Sequence, residues 1–167
     1  MTDQRYYLSE FRLDSRRLYV VWYSNDKDGL ARLADGKIAS FADESQVHAF
    51  CRANGMSLMP ESPTVYDFDL IDAWCGRPTA ESIDPSSFLE AWNILEDALS
   101  VRFYAVNVDD ITALGAEKIY NKLFFGSNLP AITPAGASYE PIWSHDEIEI
   151  LSRIYRLGLT ELRASIH

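Results

Sequence analysis

Two hydrophobic periods divide the chain. Residues 6–13 (YYLSEFRL) and 18–24 (LYVVWYS) are dense in aromatic and β-branched side chains and are separated by Asp14, Ser15, Arg16 and Arg17. Such segments suit a pleated, half-buried surface, so they predict a pair of antiparallel strands. After a polar turn at 25–29, residues 30–33 and 37–41 flank Asp35-Gly36, a dipeptide that accepts positive φ in a tight hairpin, and the pattern extends into a meander. Asp43 with Gln46 three residues on resembles a capping box. Val47, Phe50, Cys51 and Asn54 then mark one helix face, which Gly55 ends. Residues 56–59 predict one more short strand.

Beyond Pro60 and Pro63 the period lengthens from two to about 3.6, and helices take over. Residues 67–74 predict a short helix with Phe68, Ile71 and Trp74/Cys75 inside. Asp84-Pro85 places an N-cap before a proline at the first helical position. Phe88, Trp92, Leu95 and Leu99 then form a buried stripe, while Glu90, Asn93 and Asp97 face away. A helix over about 110–124, with Ala116, Ile119, Tyr120 and Leu123 inside, stops at Gly126. Residues 126–143 (GSNLPAITPAGASYEPIW) are broken by prolines and carry almost no charge, so they read as a long loop packed down on the domain. Ser144 and Glu147 form a second capping box, opening a helix through Ile148, Leu151, Tyr155 and Leu162 nearly to the last residue. The expected fold is α+β in a single domain, 1–167. An N-terminal antiparallel sheet, in a region (1–60) that also holds one helix, packs against a C-terminal set of four to five helices.

Composition narrows the class. With 167 residues, 47% hydrophobic and 13% aromatic, the chain can bury one sizeable core. No apolar run nears the ~20 residues of a membrane span. The start shows no basic region followed by an apolar one, so the expected compartment is the cytoplasm. Cys51 and Cys75, alone in apolar contexts, read as reduced, buried thiols. A net charge of -10 argues against a nucleic-acid binder, whose affinity comes from Lys and Arg on phosphates. That charge is local. Residues 1–60 balance eight acids with eight bases and residues 101–167 hold eight acids and six bases, whereas 61–100 hold nine acids and one base.

Catalytic signatures are missing from the sequence. His48, His145 and His167 form no ligand set of the close-paired kind that zinc requires, and no metal or cofactor is expected. Ser144-His145-Asp146 repeats triad letters consecutively, but those side chains diverge at a helix start, where the cap explains Ser144. No glycine-rich phosphate loop occurs. The case for chemistry rests on carboxylates: Asp67, Asp69, Asp72, Glu81, Asp84, Glu90, Glu96 and Asp97, with Glu61. Apolar residues between Asp67 and Asp72 rule out a calcium loop. These acids are either a solvated face with helix-start carboxylates or the docking surface for a cationic partner. Trp22 and Trp92 fit core positions; Trp74 and Trp143, at element ends, are candidates for partly exposed surface, with packing under the proline-rich loop the favoured alternative.

Three segments carry a resemblance: YDFDLIDAW at 66–74, FLEAWNILEDALSV at 88–101, and YNKLFFGSNLPAITPAGASYEPIWS at 120–144. Within the last, Asn128-Leu129-Pro130 is followed by Pro134, Gly136, Tyr139, Pro141 and Trp143. Together, over roughly half the chain, they resemble bacterial immunity proteins of contact-dependent inhibition and other polymorphic toxin systems. The resemblance implies a cytoplasmic, non-enzymatic inhibitor that binds a cognate toxin domain, often a basic nuclease, and transfers no individual residue roles. Joined to the charge pattern, it gives Asp67, Asp69, Asp72, Glu81, Asp84, Glu90 and Asp97 as expected partner-binding acids and Trp74 as an aromatic anchor. A competing expectation is a small-molecule protein or enzyme with its pocket between the sheet and the 126–143 loop. A third, a self-pairing adaptor, is disfavoured because an acidic seam repels itself.

Overall fold

The computed structural model describes residues 3–103 and 110–166; His167, weighed above as a ligand, lies outside them. Strands β1 (Arg5–Leu13) and β2 (Arg16–Ser24) pair antiparallel from Arg5↔Ser24 to Leu13↔Arg16. Their turn is shorter than expected. Only Asp14 and Ser15 lie in it, with φ of 54° and 58°, the hand that matches strand twist, so Arg16 and Arg17 belong to β2. Two non-glycine residues hold that conformation because both turn amides donate to the Asp69 carboxylate, at 2.7 and 3.0 Å.

β3 (Gly29–Leu30) and β4 (Ser40–Phe41) both pair with β2 and are joined around Gly36 (φ 85°) through the bridge Arg32↔Ile38. The hairpin expected over 30–41 is present, with far shorter strands. After α1 (Glu44–Ala53), residues 56–59 contribute only the bridge Tyr6↔Leu58. The strand forms instead at β5 (Thr64–Asp67), parallel to β1 from Ser9↔Thr64 to Arg12↔Asp67. Pro60 and Pro63 lack the N–H a ladder needs, so pairing breaks between the two stretches. The antiparallel sheet therefore gains one parallel strand.

Strict alternation gives this sheet two apolar faces. Phe11, Leu13, Leu18 and Val20 point to one core, Leu8 and Val21 to the other. α1 covers the second face with Val47 and Cys51, while Phe50 is half-buried and Asn54 caps the helix. The first face is covered by α2 (Phe68–Gly76), α3 (Pro85–Leu99), α4 (Asp110–Gly126) and α5 (His145–Ser165). Among the described residues five helices thus complete an α+β domain, and none is long and apolar enough to cross a membrane.

α3 runs through the middle. Phe88, Trp92 and Leu95 are buried as the stripe predicts, whereas Leu99 is half-buried near the helix end. Trp92 meets Phe103, Tyr120 and Tyr155 edge to face at 5.6, 5.5 and 6.3 Å. Trp22, expected in the core, is half-buried against it. α5 crosses α3 closely at Gly158, where a Cβ would stand 3.1 Å from Leu95 and 3.0 Å from Phe103. Its N-terminus carries the predicted capping box: Glu147 N donates to Ser144 Oγ and Ser144 N donates to Glu147 Oε2.

Two of the buried acids, Glu96 and Glu147, fix the ends of helices. Glu96, grouped above with the surface carboxylates, is 3% exposed. It accepts from Trp92 Nε1 (3.0 Å), Phe103 N (2.8 Å) and Arg102 Nη1 (2.8 Å), which fixes the exit from α3 beyond Ser100. Burial pushes the Glu147 carboxyl up, but Lys122, the Ser144 amide and Lys118 together hold it below its usual value. Its contribution is therefore complete above the ordinary glutamate value of about 4.3 and is lost as pH falls through the lowered one.

Glu96→Ala should lower unfolding free energy by about 2–4 kcal/mol, because two buried donors lose their acceptor, with Glu96→Gln costing less; urea denaturation measures both. Comparing wild type with Glu147→Gln across pH 3–7 should show the wild type losing its advantage only on the acid side.

Candidate functional site

The fold divides the segment's acids into those committed to structure and those left free. Asp67 caps α2, accepting from Leu70 N at 3.1 Å, and lies 3.8 Å from Arg12 Nη1. Asp69 holds the β1–β2 turn. Asp72 accepts from Arg163 at 2.9 Å, and the same guanidinium grips Asp14 through Nε and Nη2, keeping the Asp14 carboxyl below its usual range. Asp84 caps α3, accepting from Ser87 N at 3.0 Å and from the Ser87 hydroxyl. Asp97, half-buried rather than turned outward, accepts from Trp22 Nε1 at 3.0 Å. Asn93 likewise accepts from the Tyr120 hydroxyl. Glu81 and Glu90 are exposed and form no ion pair with a described residue.

Trp74 is not an exposed anchor. It is 7% exposed, its indole N–H donates to Thr79 O at 3.0 Å, and its ring stands edge-on to Phe88 at 5.0 Å. A nine-residue helix has few side chains with which to meet α3 and α5, and the largest of them is used there. The exposed apolar residues nearby are Leu70, 68% exposed, and Val65, 42%. Neither stands out in the sequence reading, yet Leu70 carries a legible signal: it is an apolar residue lying off the Phe68–Ile71–Trp74 stripe.

Of the expected partner-binding set, Asp67, Trp74, Asp84 and Glu90 converge on one groove of about 480 Å³ between β5, α2 and α3. Buried Ile71, Trp74 and Phe88 lie at its base and Leu70 and Val65 at its rim, with Arg77 its one base. Tyr66 and Glu90 also line an adjoining hollow shared with Trp22, Asp28, Asp97 and Arg102. Asp69 and Asp72 belong to neither; they serve the turn and Arg163.

Negative charge is in excess where the two hollows meet. The Tyr66 hydroxyl is pushed up to about 12 by burial, then by Glu90 and Asp97. Burial also raises the Asp97 carboxyl; the Trp22 N–H and Arg102 work against this, while Asp28 and Glu96 add to it. Among the described residues no group of three or more His, Cys, Asp or Glu could hold a metal ion. Both cysteines are buried, and burial raises the Cys75 thiol to about 11, far from nucleophilic. The arrangement supplies a seat and an attraction for cations.

A second surface departs from expectation. The 126–143 loop is not packed down: Leu129, Ile132, Tyr139 and Ile142 are exposed, Ile142 by 85%, beside exposed Phe125 of α4. Polar and backbone ties do the holding, so the apolar side chains are free to face outward. Asn128, at φ 50°, donates to Tyr139 O and accepts from Tyr139 N, Lys122 donates to Ile142 O, and Gly126 abuts Pro141 and Pro85. These contacts run to α3 and α4, and no residue of the loop lines the groove between β5, α2 and α3. Trp143 is half-buried, with Lys122 Nζ 5.6 Å from its ring centroid.

Trp74→Ala should destabilise the fold by about 3–5 kcal/mol, whereas Leu70→Ser should leave stability within about 0.5 kcal/mol of wild type; chemical denaturation of both separates core from surface. Compared with known proteins, the chain matches no family model, no curated protein and no solved structure.

Proposed function

We propose that this chain is an immunity-type binding protein, acting in the cytoplasm, that neutralises a cognate toxin domain by stoichiometric association. The observation that carries the reading is the excess of acids over bases in one hollow, Glu90 and Asp97 of α3 with Asp28 against Arg102, adjoining an apolar-rimmed groove. An enzyme that holds phosphates presents a basic surface, and a negative face speeds encounter with it and competes with its substrate. The sequence resemblance over 66–144 supports the same class. A second reading, a small-molecule site, draws on the volume of the groove, which lies within the roughly 300–1,000 Å³ of such pockets.

Retention of proteins from the native host, at low and high salt with mass spectrometry of what stays bound, tests the reading. One basic domain should be held at low salt and released at high salt. Elution of the chain alone, or with a small molecule, overturns it.

With that partner, Asp28→Asn, Glu90→Gln and Asp97→Asn combined should lower the association rate constant and flatten its salt dependence, changing dissociation less. Folding should not suffer. A carboxyl raised in the folded state opposes folding above the ordinary aspartate value, so Asp97→Asn should preserve or raise the urea midpoint at pH 7. Unchanged kinetics at low salt would remove electrostatic steering from the proposal.

A further inference from the structure

The geometry points to the groove between β5, α2 and α3 as the seat of one arginine side chain of the partner protein, its stem against Leu70 and Val65 and its guanidinium among Asp67, Asp84 and Glu90. The inference rests on the binding reading above and names the chemistry the groove recognises. Single exposed aliphatic residues are ordinary, but here two of them border one concave hollow whose base, Ile71, Trp74 and Phe88, is already buried. A wholly apolar occupant would leave the rim acids facing an uncharged surface. An ammonium or guanidinium on an aliphatic stem satisfies both features at once, the stem covering apolar rim while the head stays among carboxylates.

The charges facing the groove come from every element that forms it. β5 supplies Asp67, shared at 3.8 Å with Arg12 of β1; the start of α3 supplies Asp84; its second turn supplies Glu90; α2 ends at Arg77. Three acids thus line the groove against Arg77, with Arg12 beside Asp67, and Arg77 forms no ion pair with any of the three. The cap at Asp84 uses Oδ2 for both its bonds, and a carboxylate has about four acceptor sites, so Asp84 retains capacity for a second donor. Guanidinium is favoured over ammonium because its planar fork matches carboxylate pairs and stacks on aromatic surface such as Tyr66.

The test uses the intact 15N-labelled protein and the blocked peptides acetyl-Ala-Arg-Ala-amide and acetyl-Ala-Gln-Ala-amide. Two indole signals report separate places: Trp74 lines the groove, and Trp22, bonded to Asp97, lies on the neighbouring acidic face. The arginine peptide should move the Trp74 signal saturably and less at high salt, and the glutamine peptide should not. Glu90→Gln should weaken this by about two- to fivefold, the range of an exposed ion pair, and Arg77→Ala should strengthen it by a similar factor. Movement of Trp22 without Trp74 overturns the groove assignment while leaving the binding reading intact, and no movement of either also overturns it. Weaker binding in Arg77→Ala would mean that the groove reads an anion, and equal shifts in wild type and Glu90→Gln would mean that the acids do not take part.

Discussion

A buried negative charge governs this structure. The Glu96 carboxylate sits under the fold with three donors around it, the Trp92 indole, the Phe103 amide and the Arg102 guanidinium. An unpaired charge there would be prohibitive, so the geometry around it is tightly constrained. Trp92 must present its N–H while its ring fills the space between α3, α4 and α5. The chain leaving α3 must turn back at Ser100, in a left-handed conformation, to bring Phe103 within reach. The same charge acts outward, adding to the rise of Asp97 on the next residue.

The concentration of acids at 61–100 has two causes that composition merges. Caps, the hairpin clamp at Asp69 and the link from Asp72 through Arg163 to Asp14 are internal uses, tying α2 to the first hairpin and the last helix. They account for Asp67, Asp69, Asp72 and Asp84 as structural elements. What remains beside buried Glu96 is smaller and more focused: Glu61, Glu81 and Glu90, without ion pairs among the described residues, and Asp97, raised in part by Asp28. Asp67 and Asp84 serve twice, since each caps a helix and also faces the groove.

The exposed 126–143 loop follows a related division of labour. Its shape is held by Asn128, Lys122 and the proline contacts at Gly126, while the side chains of Leu129, Ile132 and Ile142 face outward. The loop meets α3 at Pro85, next to the Asp84 cap that closes one side of the groove. An acidic, apolar-floored hollow and an apolar loop therefore adjoin across one helix start.

Most of the local architecture was legible from residue pattern. The Ser144–Glu147 box, the Asp84-Pro85 start, the Asp35-Gly36 turn and the buried stripe of α3 are set by side chains three or four residues apart or by the φ a residue tolerates, and such information is local. The parallel strand at 64–67 was not legible, because its partner lies over fifty residues away and prolines obscure its period. Nor could charge alone separate Glu96, at the centre of the core, from Glu90 on the surface, since both are glutamates of one helix. Trp74 fits both an inner helix face and an exposed anchor by sequence, and only Phe88 and Tyr155 packed edge-on to it decide for the core; the loop looked packed down until its backbone ties were seen. The sequence by itself determined the elements, their caps and the excess of acid in the middle segment. Only the tertiary structure decided which of those acids face solvent, because burial and pairing are set by what distant segments place beside each carboxylate.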